Sequence, residues 1–420
     1  ILDLGKEEYA IHKFVASNTS ASFDIMSQPH LQGQLDPSHL FFNGIGMEVD
    51  SFIYKGTGEM TLNLAHLEAK ESTGLVLADV NGHVLMDSLS LRLPLLRLTT
   101  GDSKLSLAYS MDMNTFEEHD PGMMNLVAEG QFGKDDIIYF TRMGGPATQD
   151  VCAMMSQILP ARPTQVQFKA EGNMQALDVS RLYINVPQVA VAEGEAKLFN
   201  LTEDMAVQTK LNLYDSHGAN IFAEAQMAMA DETYNAEISF DSLVLNNYMP
   251  MEQKAAFSGQ ASALGKGFDF LSPHATLKAS ASLVDGCFDK INLSNITADA
   301  SIEGQQVMVD VVADNNQLKT RFTLDATLKK HLVSGFLNMD LPFVDAKSMG
   351  FSDERLEVTT SGNAMFSYDW KELFRIDSHV ESLKLFIGKD SLSTDVFDLY
   401  AEAKKDTTTA TFNTGDFSLS

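Results

Sequence analysis

Residues 318–328 read LKTRFTLDATL, and the alternation in that stretch limits what the chain can fold into. Leu318, Thr320, Phe322, Leu324, Ala326 and Leu328 share one side of an extended strand, with Lys319, Arg321, Thr323, Asp325 and Thr327 on the other. Strand side chains alternate with period two, so the stretch predicts a sheet segment with one apolar and one wet face. The pattern recurs from end to end. Fold and function therefore both turn on what covers the apolar side.

Leu89, Leu91, Leu93 and Leu95 alternate with Ser90, Arg92 and Pro94. After Gly101 and Asp102 come Leu105, Leu107, Tyr109, Met111 and Met113 in the same rhythm. Further strands are expected from Met60 to Leu64, over 166–170 with Val166 and Phe168, over 182–186 with Leu182 and Ile184, at Leu211 with Leu213, and over 221–229 with Met227 and Met229. Ile238 with Phe240, Leu277 through Leu283, Val307 with Val309 and Val311, 333–339, 383–387 and 410–419 continue the series. That makes roughly two dozen strands of about five to eight residues. Asn81-Gly82 is the pair a two-residue hairpin turn prefers. Residues 1–58 are the least regular, with turn signals at Pro29, Pro37, Gly44, Gly56 and Gly58.

Helices are scarce. In TQDVCAMMSQIL, 148–159, Val151, Met154, Met155, Ile158 and Leu159 form a helical stripe that Pro160 stops. A shorter turn is expected over 135–142, where Asp135 and Asp136 suit the positive end of the dipole. Punctuation at 133–140, at LNNYMP (245–250) and at LPFVDAKSMG (341–350) hints at modules of roughly 100 residues. The divisions read are 1–58, 59–160, 161–250 and 251–420, taken as one continuous elongated sheet. Short helices cannot blanket so many strands. Another sheet, the same sheet curling round, or something other than protein must cover the apolar face.

The charge balance is 30 Lys plus Arg against 57 Asp plus Glu, a net −27, which opposes binding to nucleic acid or to an anionic membrane surface. Cys152 and Cys287 fit neither a disulfide framework nor a metal-ligand spacing. No run of 18 apolar residues is present, and the chain reads as an internal piece of a longer protein whose address and anchor lie upstream.

Enzyme signatures are missing: GxSxG, HExxH, the P-loop pattern and a complete GxGxxG do not occur. The ten histidines show no pair at ligand spacing. Asp112, Asn114 and Glu117, beside Glu118, His119 and Asp120, fail the calcium-loop pattern because Phe116 interrupts it and no Gly follows. Asp135 and Asp136 are explained by a helix start more cheaply than as an acid-base pair. No catalytic residue, metal ligand or cofactor is expected.

What remains is the apolar set. Twenty-one methionines and 26 phenylalanines provide a soft, deformable surface that suits either a sandwich core or a lining for acyl chains. Periodicity does not separate the two. A lining gains about 0.8 kcal/mol per buried CH₂ without any directional partner. If about 24 strands stack at roughly 4.8 Å, the sheet extends on the order of 115 Å.

Residues 60–114, FGKDDIIYF followed by LPARPTQVQFKAEGNMQALDVSRLYINVP within 132–187, and in style the hairpins of 296–328, resemble the middle region of TamB proteins of the AsmA-like superfamily, especially those of Bacteroidetes. The resemblance implies an all-β fold: a long, curled, mostly antiparallel sheet forming a taco-like or β-helical groove with an apolar interior, plus one or two short helices. It further implies a periplasmic segment of a Gram-negative bridge anchored in the inner membrane, which conducts glycerophospholipids toward the outer membrane. Phospholipid acyl chains are then the partners, with an outer-membrane barrel of the TamA type as a further one. The family's N-terminal anchor and C-terminal module are not recognisable here, and it has no catalytic residues to carry over. The expected lining is Leu89, Leu91, Leu93, Leu105, Leu107, Tyr109, Met111, Val166, Phe168, Leu182, Ile184, Leu211, Leu213, Met227, Met229, Ile238, Phe240, Leu277, Leu283, Val307, Val309, Val311, Phe322, Leu324 and Leu328. Rival readings are an outer-membrane-protein assembly factor with exposed strand edges, an array of closed β-sandwiches, and a β-helix hydrolase.

Overall fold

The structure is a computed structural model that describes residues 7–31, 36, 38–56, 58–117, 119–142, 145, 148–249, 251–370, 373–404, 407–414 and 417–419. Pro37, Glu118, Pro250, and Gly415 and Asp416 within the strand expected over 410–419, lie outside the described residues. Twenty-eight strands, two short α-helices and one 3-10 turn make up the described secondary structure, so the fold is all-β. The strands pair antiparallel, and the sheet is not closed into a barrel. The chain divides into two units, Ile1–His217 and Gly218–Ser420.

In the first unit Tyr9–Ile11 and Phe14–Asp24 both pair with the long strand His39–Tyr54. From there each strand pairs with the next: Met60–Glu71, Asp79–Met86, Ser90–Thr99, Lys104–Asp112, Met124–Phe132, Thr164–Gly172, Ala176–Val186, Ala190–Phe199 and Ala206–Asp215. The second unit repeats this meander from Asn220–Ala228 to Phe417–Leu419. Local turn chemistry fixes the order. Asn173 Oδ1 accepts the backbone N–H of Gln175 and Ala176 at 3.0 and 2.9 Å, and Asn315 Oδ1 accepts those of Gln317 and Leu318 at 2.9 Å each. Such side-chain turns reverse the chain at once, so neighbours in sequence become neighbours in the sheet.

The helices are α1, Lys134–Thr141, and α2, Gln149–Ile158, both inserted between Met124–Phe132 and Thr164–Gly172. They match the expected spans to within a residue at each end. The expected stripe is split: Ile158 is half-buried and Leu159 buried, whereas Val151 and Met154 are exposed. Cys152 takes the buried position, with its thiol 3.9 Å from Ile138 O. Helix α1 docks on strand ends, where Tyr139 Oη bonds Thr73 Oγ1 at 2.5 Å.

Three sequence expectations are corrected. Asn81 and Gly82 lie inside the strand Asp79–Met86, where Gly82 has φ +158° and a Cβ would overlap Leu95 O. The close approach of the next strand, not a turn, requires that glycine. A register shift between Leu93 and Leu96 breaks the expected Leu89-to-Leu95 alternation, so Leu96 and Leu98 continue the face in place of Leu95. Residues 341–345 are not punctuation: the strand Leu332–Asp345 runs through them.

Close strand approaches mark the apolar face within each unit. Gly130 and Gly259 stand in strand interiors on that face, and a Cβ at either would overlap the neighbouring strand's carbonyl oxygen, Lys104 O or Ser282 O. Only a hydrogen side chain permits so close an approach. Register shifts at Lys169/Ala170 and Val179/Leu182 in the first unit, and at Phe240/Leu243, Ser258/Gly259 and Ser361/Gly362 in the second, bend the strands locally.

Candidate functional site

Cross-strand register places the expected lining on one face. In the first unit one row of directly opposed residues runs Leu98, Leu105, Gly130, Val166, Ile184, Ala192, Leu213. The next runs Leu96, Leu107, Ala128, Phe168, Leu182, Gly194, Leu211, and a third Leu93, Tyr109, Leu126, Ala170, Val179, Ala196. Leu91 and Met111 start a fourth row that continues through Met124 and Leu177 to Leu198. One position along each strand the register turns polar: Arg97, Ser106, Glu129, Gln167, Tyr183, Glu193, Asn212.

The second unit shows the same division. Ile238, Ala261, Ala281, Ala298, Val311, Phe322, Met339 form one apolar row, and Ala236, Ala263, Ala279, Ala300, Val309, Leu324, Leu337 the next. Phe240, Leu283, Leu277 and Val307 belong to flanking rows of the same face, as do Met227, opposite Tyr234, and Leu328, opposite Val333. Two expected residues fall outside the strands: Leu89 precedes Ser90–Thr99 and is 77% exposed, and Met229 follows Asn220–Ala228 and is 45% exposed. They are corrected out of the lining. Sequence reasoning missed Leu96 and Leu98, hidden by the bulge, and the alanine rows, whose small side chains carry little periodic signal.

Within each unit, the described residues show no second layer over this face. Leu105, Leu107, Phe168, Leu182, Ile184, Val309, Phe322 and Leu324 are all only half-buried. Buried hydrophobic residues are instead mostly alanines such as Ala170, Ala313 and Ala326. A packed core excludes water from its large side chains and leaves them almost wholly inaccessible. The accessible surface is 25575 Å², against about 16,000 Å² for a compact monomer of this mass.

Hollows occur on both faces of the second unit. One of about 160 Å³ lies on the apolar side, lined by Leu337, Met339, Ala364, Ile376 and Val380. A broader one of about 820 Å³ lies on the polar side, where Glu237, Asp299, Asp310 and Asp325 outnumber Lys278. Leu264, Met308 and Phe336 add apolar surface there, but hydrocarbon in that hollow would desolvate carboxylates, so it is the poorer seat for an apolar ligand.

The titratable groups hold the scaffold together. Asp136, at the start of α1, accepts from Ser103 Oγ at 2.5 Å and from Thr100 Oγ1, while Asp102 Oδ2 accepts Asp135 N–H at 3.2 Å. Burial, and then the neighbouring Asp136, push the Asp102 carboxyl above its ordinary value. The pair fastens the turn between Ser90–Thr99 and Lys104–Asp112 to the helix. Asp112 and Asn114 likewise serve their own turn, with Asp112 Oδ2 accepting Met123 N–H at 2.9 Å and Asn114 Nδ2 donating to Asp120 O at 3.0 Å. The histidines are less scattered than their spacing indicates: His30 and His39 meet beside Asp24. Comparison with protein-family models, with curated proteins and with solved structures finds no match to this chain.

Proposed function

We propose that the uncovered apolar face carries lipid acyl chains, and that the protein is a periplasmic segment of a bridge that conducts glycerophospholipids between the two membranes of a Gram-negative envelope. One observation carries this reading: cross-strand rows of large apolar side chains that stay half-exposed through many successive strands. Such a surface offers dispersion and hydrophobic contact without directional partners, which is what a hydrocarbon chain needs. The resemblance of residues 60–114 and 132–187 to TamB-like proteins supports the location and the cargo. Headgroups remain in water at the sheet margin.

The edge-pairing alternative has less support. Phe14–Asp24 pairs only with His39–Tyr54 among the described residues, but register shifts at Ala16/Thr19 and Thr19/Ala21 and a left-handed Asn18 (φ 50°) interrupt it. Bulges of this kind blunt an edge against strand addition.

The test places a photocrosslinking amino acid at Leu182 and, separately, at Tyr183, adjacent residues on opposite faces. In cells, phospholipid adducts are expected at 182 and not at 183. Equal labelling at both positions, or adducts only to unfolded barrel proteins, would overturn the reading.

A further inference from the structure

The hairpin formed by Phe14–Asp24 and His39–Tyr54 ends in a group of side chains with no part in the apolar face. Asp24 and His39 are cross-strand partners at its last rung, and the connection between them carries His30 and Asp36. His39 Nε2 lies 3.2 Å from Asp24 Oδ1. His30 stacks beside it, with ring centroids 3.7 Å apart. One ligand-type atom from each of Asp24, His30 and His39 lies within 4.8 Å of the others.

The geometry points to a metal site: we infer that Asp24, His30 and His39 bind one divalent transition-metal ion of the zinc class, with a fourth position open to water. Tetrahedral ligands at the usual zinc distances sit about 3.3 Å apart. His30 and Asp24 are exposed and can close that gap without disturbing packing. His39 is the fixed member. Its side chain is 7% exposed, and its Nδ1 lies 2.9 Å from Oδ2 of Asp36, whose side chain is 7% exposed as well. Asp36 is held in turn by Leu31 N–H at 2.8 Å and Ser38 N–H at 3.1 Å. A backbone-anchored carboxylate on one imidazole nitrogen orients the ring and leaves the other nitrogen's lone pair for a metal. Two imidazoles and a carboxylate, without a thiolate, favour Zn²⁺, Co²⁺, Ni²⁺ or Cu²⁺ over Mg²⁺ or Ca²⁺. Bound there, the ion ties the hairpin's connecting loop to its last rung.

The test titrates the chelator-stripped protein with Co²⁺, reading the visible absorption of a low-symmetry site, and with Zn²⁺ by calorimetry. One equivalent is expected to bind, with affinity lowered at least tenfold in His30→Ala and in Asp24→Asn and unchanged in His274→Ala, a histidine remote in sequence. Asp36→Asn should weaken binding about 10- to 100-fold through His39 alone. Circular dichroism checks that each variant is folded. If no stoichiometric metal binds, or if His30→Ala leaves the affinity unchanged, the inference fails.

Discussion

Gly130 lies so close beneath the neighbouring strand that a Cβ there would come within 2.8 Å of Leu105 Cα, besides overlapping the Lys104 carbonyl. Leu105 is also its direct partner across the sheet. The backbone contact leaves no flexible side chain to yield, so Gly130→Val must push the strands apart. A loss of about 1 to 3 kcal/mol is expected in denaturant unfolding. Gly101→Ala, where a Cβ meets nothing within 4 Å, is the matched control and should change stability little.

Asp102 provides a prediction with a definite sign. Its folded-state pKa is raised, by burial first and then by Asp136, so its protonated form favours the fold. That contribution is fully present below the unfolded pKa and is lost as pH rises through the folded one. At neutral pH an ionised Asp102 is therefore a liability. Asp102→Asn, which can still accept from Asp135 N–H, should raise stability at pH 7 by about 1 kcal/mol. Urea unfolding should show the gain fading as pH falls through the raised folded-state value, where the wild-type carboxyl takes up its proton. A gain of equal size at every pH would contradict the electrostatic account.

Glu402 behaves in the opposite sense. Hydrogen bonds from Lys404, Arg375 and Tyr400 hold its carboxyl down to about 2, from an ordinary 4.5. A depressed pKa contributes stability above the unfolded value and loses it as pH falls through the folded one. Glu402→Gln should therefore lower the melting temperature at pH 7, with the difference shrinking between 4.5 and about 2. The ion pairs sit near the surface, so added salt should also reduce it.

The fold was legible wherever one face alternates cleanly. The strand Leu318–Lys329 follows the reading of 318–328 almost residue for residue, and register then carries Phe322 and Leu324 onto the same face as Val311 and Val309. The bulge that shifts the face from Leu95 to Leu96 did leave a mark, Pro94, which cannot donate to a ladder, but period-two reasoning counted it as an ordinary outward position. Asn81-Gly82 misled for a related reason: glycine is needed equally by a tight turn and by a close backbone approach. Asp102 with Asp136, and Asp24 with His30 and His39, were invisible because connections of 34 and up to 15 residues bring them together, and no local spacing encodes that. The histidines were set aside on spacing that only a folded hairpin closes.

Leu107→Arg in the first unit and Phe322→Asp in the second separate a lining from a core by two independent readouts. Both residues are half-exposed on the apolar face, flanked across the sheet by Ala128 and Leu96, and by Val311 and Met339. An arginine head at position 107 can reach water along the uncovered face while its stem stays on the sheet. Its cost should stay near about 1 kcal/mol, whereas a charge forced into a dry core costs about 3 to 5 kcal/mol and often the fold. Lipid bound to the purified protein, counted by native mass spectrometry, should fall sharply in each variant, because a desolvated charge cancels the gain of several buried CH₂ groups. Retained fold with lost lipid fits an open lining. Collapse of the fold fits a sealed interior, and retained fold with undiminished lipid would move the binding surface elsewhere on the molecule.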